Sequence, residues 1–150
     1  MTTLSIDIGT KSGWAVRKND GKIIFGTHVC KVEGRKEIDG LRYLRFRAML
    51  TELKNSVGGI DQVLYEEVMR HSNTAAAHVY GGYRAVLQMW CAHHDIPCTG
   101  INVKTIKKFM TGNGNADKNA MIAAAKKRGF KTKGHDEADA IAILLCGESS

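Results

Sequence analysis

The chain has one proline, Pro97, and no stretch rich in serine and proline, so nothing in its 150 residues reads as a linker. No internal repeat is present, and a single domain over 1–150 is expected, long enough to bury a core without staples. Long apolar runs are missing as well. The longest, Ala138 to Cys146, is interrupted by Asp139 and is far too short to span a bilayer. The N-terminus opens as a strand rather than as a basic segment leading into an apolar one, which speaks against a secretory signal. None of the four cysteines, Cys30, Cys91, Cys98 and Cys146, forms a C-x-x-C pair. That usage fits reduced, mostly buried thiols and a cytoplasmic location, the nucleoid or a phage-infected cell included. Cys91, His93, His94 and Cys98 leave a zinc site as the alternative, although their spacing is not that of a standard finger.

What the chain does have is four acids in telling places. Asp7 sits inside the apolar strand Leu4-Ser5-Ile6-Asp7-Ile8, and Glu66 closes a second strand, Val63-Leu64-Tyr65-Glu66. Asp136 and Asp139 open a C-terminal helix. An ionised acid in an apolar strand is costly unless it is paired or bound to a cation. Acids brought together repel one another, and their pKa values rise until positive charge arrives. No Lys or Arg lies within three residues of Asp7 on its N-terminal side, and a divalent metal is the simplest partner for all four.

Apolar content of 43% and charged content of 25% are those of a soluble globular protein, but the net charge of +7 asks for a polyanionic partner. From Lys104 to Lys133 there are nine Lys/Arg and one acid, Asp117, and Arg42, Arg45 and Arg47 form a second group. Charge runs are most often solvated surface. A basic third of the chain beside an acidic cluster fits nucleic acid better, because phosphates need cations and metals need carboxylates.

Periodicity predicts strands over residues 3–8, 14–17 and 22–31, with Gly9 to Gly13 and Asn19-Asp20-Gly21 as turns. Helical spacing of Phe46, Met49, Leu50, Leu53 and Val57 predicts a helix over 36–57, ended by Gly58-Gly59. A fourth strand follows at 62–66, a helix at 75–94 behind the caps Ser72-Asn73-Thr74, and a fifth strand at 97–101. Two short helices are expected around Gly112-Asn113-Gly114-Asn115, and a last helix from Asp136. The expected fold is therefore α/β, a five-stranded mixed sheet made of a three-strand N-terminal meander plus two further strands, flanked by helices. In it Asp7 takes the face opposite Leu4, Ile6 and Ile8, and strand neighbours about 5 Å apart let Glu66 reach the same ions. Asp136 and Asp139, three residues apart, share one helix face. Two acids in a first turn also suit the helix dipole, so that pair alone can equally be read as capping.

The motifs Leu4-Ser5-Ile6-Asp7-Ile8-Gly9, Tyr65-Glu66-Glu67-Val68, Thr111 to Lys118 and Asp136-Glu137-Ala138-Asp139-Ala140 together resemble the RuvC family. The resemblance runs from Leu4 to about Leu145. It implies the RNase H-like fold and a metal-dependent endodeoxyribonuclease that resolves four-way (Holliday) junctions by paired nicks, leaving 5′-phosphate and 3′-OH ends. Asp7, Glu66, Asp136 and Asp139 are then the catalytic metal ligands for two Mg²⁺ ions, with Mn²⁺ as a substitute, and Lys118 is a catalytic cation. Glu66 is preferred to Glu67 because the family acid ends the strand and comes first in the pair. The implied DNA contacts are Met69, Arg70, His71 and Asn73 beyond the second acid, Lys104, Lys107 and Lys108, and the glycine loop with Gly112, Gly114 and Lys118. Backbone N–H groups freed by the glycines are expected to approach a phosphate. Many family members carry an aromatic wedge where this chain has Met69, which reads either as an apolar wedge between base steps or as a buried loop methionine.

Symmetric cutting implies a homodimer on branched DNA, and the mid-helix Gly81-Gly82 suits either a partner helix or packing within the chain. Three other readings compete. One is a different RNase H-fold nuclease acting on other branched DNA, RNA–DNA hybrid or structured RNA. Another is a phosphotransferase of the sugar-kinase and actin type, for which Asp7-Ile8-Gly9-Thr10 would be the first phosphate motif. The last is a junction-binding module without catalysis. His135, next to Asp136, is expected to face away from it, since adjacent helix residues diverge.

Overall fold

The computed structural model describes residues 1–29 and 40–149. Three strands come first, β1 (Thr3–Asp7), β2 (Lys11–Arg17) and β3 (Ile23–Val29). They are joined by tight corners, so they pair antiparallel. At the second corner Gly21 adopts φ 86°, and its N–H donates to the Lys18 carbonyl at 2.9 Å. The first corner is shorter than the sequence suggests. Ser12 Oγ donates to the Gly9 carbonyl at 2.7 Å, and β2 is already paired at Lys11 rather than at Trp14. The predicted end of the third strand at Lys31, Cys30, and the predicted helix start at Lys36 lie outside the described residues.

Helices then alternate with strands: α1 (Leu41–Ser56), β4 (Gln62–Glu67), α2 (Thr74–His93), β5 (Cys98–Asn102), α3 (Val103–Thr111), α4 (Lys118–Lys127) and α5 (His135–Glu148). Crossovers through helices return the chain in the same direction, so β4 lies parallel to both β1 and β5. The sheet order is β3-β2-β1-β4-β5. Boundaries move by one residue at β4, α2, β5 and α5, as element ends usually do.

Alternation along β1 decides what each face holds. Leu4 and Ile6, with Val16, Val63 and Tyr65, meet Phe46, Met49 and Leu50 of α1 and Tyr83, Leu87 and Trp90 of α2. On the other face Leu64 packs with Ile106 and Met110 of α3, Met121 and Ala125 of α4, and Ala138, Ala142 and Ile143 of α5. Ala15 meets Ala140, Ile141 and Leu144. Each fully buried Leu, Ile or Phe contributes roughly 1.5–3 kcal/mol, so both helical layers are firmly attached. Thr3 and Ser5 point to the α5 face, and Ser5 Oγ donates to the Ala140 carbonyl at 2.6 Å. Asp7 is the next residue on that face.

Candidate active site

Two devices bring the start of α5 to the end of β1. The Ser5–Ala140 hydrogen bond ties the helix to the strand. Gly13, paired with Asp7 across the β1–β2 ladder, is the other: a Cβ there would collide with the Asp136 carbonyl. The missing side chain lets the first turn of α5 lie directly on β2. Glu66 arrives from the other flank. Ile6 pairs with Tyr65 in parallel register, so the next residues along, Asp7 and Glu66, stand side by side on the same face.

Three of the four carboxyls are raised. Burial pushes the Asp7 carboxyl well above the usual range, and the charges of Glu66, Asp139 and Asp136 push it further, offset in part by Lys118. Asp139 is pushed up to about 7, first by burial and then by Glu66. Burial also raises Glu66, against the pull of Lys107. Water reaches the group through a cleft of about 290 Å³ lined by Glu66, Asp139, Lys107 and Lys118, with Val103, Ile106 and Met121 as its apolar wall. A cation joining carboxylates raised this way favours their ionised form.

Capping does not explain the α5 pair. The N-cap, Gly134, has no side chain to give, and Glu137 turns back to accept the Lys133 N–H at 2.8 Å. Asp136 instead meets Lys11 Nζ at 3.5 Å and His135 Nε2 at 3.3 Å. The expectation that His135 faces away is therefore corrected. It reaches its neighbour's carboxylate, and its position four residues before Asp139 puts it on that acid's face, where it pulls the Asp139 pKa down.

Among the described residues no three His, Cys, Asp or Glu side chains close around one point. Magnesium does not need them to, since it takes one or two carboxylates and fills its shell with water and phosphate oxygens. An all-oxygen donor set with raised pKa values fits such ions. A structural zinc does need protein ligands on every side, so the same observation removes the zinc reading of the Cys91 region. There the Cys91 thiol is hydrogen-bonded to Cys98, which holds the Cys91 pKa up and the Cys98 pKa down. His94 packs on the Trp90 ring, with centroids 4.8 Å apart.

The expected DNA contacts divide. Lys107 and Lys118 line the cleft, whereas Lys104 and Lys108 are exposed on α3 outside its lining. Gly112, with φ 82°, ends α3 in the left-handed conformation that a Cβ disfavours. The glycine loop has few free N–H groups to offer a phosphate. Those of Gly112, Asn113, Asn115 and Ala116 are bonded to Lys108 O, Thr111 Oγ1, Asn113 Oδ1 and Asn113 O. The loop instead delivers Asp117, which caps α4 by accepting the Ala120 N–H at 2.8 Å, and so sets Lys118 at the cleft.

Beyond Glu66, Met69 is 74% exposed, which removes the buried-methionine reading. Arg70 is exposed beside it, and Asn73 spends its carbonyl capping α2 through the Ala76 N–H at 2.8 Å. His71 lies against the Tyr80 ring, centroids 4.8 Å apart. The sequence offered Tyr80 only as a neighbour of Gly81-Gly82 on the helix, and its role at Glu66 was missed. Its hydroxyl donates to the Glu66 carbonyl at 2.8 Å and accepts the Val68 N–H at 3.1 Å, clamping the end of β4 and the start of the Met69 turn. Lys11 was missed too, and its signal was present: a cation four residues after Asp7, on the C-terminal side. For His135 the signal was the four-residue spacing to Asp139.

A mixed five-stranded sheet in this order, with acids at the ends of β1 and β4 and in the first turn of the last helix, defines a metal-dependent nuclease of the RNase H-like class. The family model described as crossover junction endodeoxyribonuclease RuvC matches residues 3–147. The RuvC protein of Wolbachia pipientis from Culex pipiens is 26% identical over 152 residues, covering 95% of this chain and 89% of that protein. That of Maricaulis maris is 35% identical over 106 residues, 65% of this chain and 63% of that one. Thermus thermophilus RuvC in complex with a Holliday junction substrate superposes with a TM-score of 0.79 at 23% identity, covering 97% of this chain and 92% of that one. The chain belongs to the RuvC family of crossover junction endodeoxyribonucleases. Membership also disposes of the phosphotransferase and non-catalytic readings.

Proposed function

We propose that residues 1–150 act as one nuclease domain that cuts four-way DNA junctions by paired nicks, using two Mg²⁺ ions, for which Mn²⁺ substitutes, held by Asp7, Glu66, Asp136 and Asp139. The observation that supports this most is that Asp7, Glu66 and Asp139 all have raised carboxyl pKa values, with Glu66 and Asp139 beside Lys107 and Lys118 at one cleft. When bound, such ions supply an activated water and charge stabilisation at the leaving 3′ oxygen. The chain's own residues do the rest. The carboxylates orient around a single phosphate because Ser5 and Gly13 fix α5 on β1 and β2, and the parallel ladder fixes β4 beside β1. Lys118 and Lys107 neutralise charge on the phosphate as it becomes pentacovalent. Met69, projecting next to Arg70 past Glu66, is placed to enter between bases at the junction centre.

Two such sites in a homodimer give symmetric nicks. Among the described residues no helix is long and apolar enough to cross a membrane, and we place the enzyme in the cytoplasm with the DNA. The deciding experiment offers the purified chain, with Mg²⁺, a four-way junction, a flap, a plain duplex and an RNA–DNA hybrid. Paired nicks at symmetric positions confined to the junction are expected, and preference for the hybrid would sink the junction assignment. Asp7→Asn is expected to abolish cutting, by at least about 10³-fold, while junction binding survives.

A further inference from the structure

A second cleft, of about 530 Å³, meets the carboxylates from the side opposite Lys107 and Lys118. Its floor is the α5 face of the β2–β3 hairpin, where Phe25 and the exposed Val29 lie. Its far wall is the 130–134 segment leading into α5. That segment alternates. Phe130 turns inward and packs edge-on against Phe25, ring centroids 6.3 Å apart, and Thr132 is partly covered, whereas Lys131 and Lys133 are exposed. Lys11 lies across from them and Asp136 closes the inner end.

The charge on the 130–134 side is unspent, whereas Lys11 opposite is paired with Asp136. Among the described residues neither Lys131 nor Lys133 is in an ion pair. Glu137 also lines the cleft, but it is buried and its carboxylate accepts the Lys133 backbone N–H. Asp136 lines this cleft and Asp139 lines the other, one helical turn apart on α5. The two clefts therefore end on neighbouring acids of one helix. A strand whose scissile phosphate sits at those acids has one flank in each cleft.

We propose that the cleft between the β2–β3 hairpin and the 130–134 segment is a strand-binding subsite, in which Lys11, Lys131 and Lys133 hold phosphates of the strand being cut on the side of the scissile bond away from Lys107 and Lys118. Phe25 and Val29 offer an apolar floor to the sugars. This rests on the nuclease reading of the carboxylates, but none of these lysines is needed for it. The subsite lies beyond the glycine loop and α3; the sequence counted Lys131 and Lys133 in the basic third of the chain without naming them as contacts.

The test measures binding of the full chain to a four-way junction against salt concentration, without divalent ions. Each phosphate-bound lysine lost lowers the steepness of log K against log salt by about one. Lys131→Ala with Lys133→Ala is therefore expected to flatten the slope by about two and to slow cutting at sub-saturating enzyme roughly tenfold. Lys131→Arg with Lys133→Arg keeps both slope and rate. Cut strands with neutral methylphosphonates on one side of the scissile bond locate the contact. On one flank the wild type loses what the double-alanine variant loses, and the variant loses nothing more. An unchanged slope, or a variant deficit that persists in full with either flank neutralised, overturns the subsite. A wild type that ignores junctions but cuts another nucleic acid overturns the junction assignment instead, and the slope is then measured on that substrate. Binding to no nucleic acid overturns both.

Discussion

Single residues carry the electrostatics of the site, and Asp139 gives the most direct handle on it. Its carboxyl is raised from an ordinary 3.8 to about 7, so without metal the folded state binds its proton more tightly than the unfolded state does. That contribution is fully present below pH 3.8 and is lost as pH rises to about 7. The metal-free protein should lose stability over that window, and Asp139→Asn should be more stable than wild type at pH 8, by about 1–2 kcal/mol because water in the open cleft screens the charge. Denaturant midpoints in EDTA across pH measure this, and Mg²⁺ should erase the difference between pH 5 and 8. Tyr80 acts one step back, as a positioning residue. Tyr80→Phe removes the hydroxyl that holds the Glu66 carbonyl and the Val68 N–H while leaving the ring against His71. We expect roughly a tenfold lower single-turnover cutting rate, a raised Mg²⁺ requirement and unchanged junction affinity. A loss confined to thermal stability would show that the clamp is structural only.

Among the elements, α5 matters most because its first two turns hold two of the four acids and both clefts end on it. Its placement depends on a residue with no chemistry of its own. Gly13→Ala puts a methyl group into the Asp136 carbonyl, and either β2 or α5 must move. The expected cost is about 1–3 kcal/mol in unfolding free energy, with cutting reduced far more than junction binding because Asp136 leaves its place. Proportional losses of cutting and binding would refute this role for Gly13. Helix and strand types here were readable from periodicity and caps, since apolar residues at intervals of two or of three and four decide which face is buried. The corner before β2 was not. Gly9 to Gly13 has turn composition, yet Lys11 to Gly13 are held in the β2–β3 ladder by pairing with Val29, His28 and Thr27 far along the chain.

At the scale of the whole molecule the open question is assembly. Gly82 is accounted for within the chain, because a Cβ there would strike the Tyr43 ring of α1, whereas Gly81 opens onto space. The helix pair α1–α2 also leaves Leu44 and Met89 exposed, at 52% and 57%. If two copies act together on one junction, enzyme reconstituted from wild type and an excess of Asp7→Asn should release singly nicked junctions instead of resolved duplexes. Native gels of a circular junction substrate separate the two products, and full resolution by the mixture would argue for independent subunits.

By itself the sequence determined the class of fold, singled out the four acids as candidates and set the sign expected of the partner. Those are matters of composition and short-range pattern: an acid inside an apolar strand, acids three apart at a helix start, cations in excess in one third of the chain. Only the tertiary structure decided how the acids are used. Parallel register set Glu66 beside Asp7, the bare Cα of Gly13 admitted α5, and Glu137, rather than Asp136 or Asp139, turned back onto the backbone ahead of the helix. It also placed Lys11 and His135 at Asp136, and left Lys104 and Lys108 outside the cleft. The physical reason is that charges act through space. Coulomb energy depends on separations of a few ångströms, and those are set by residues distant in sequence.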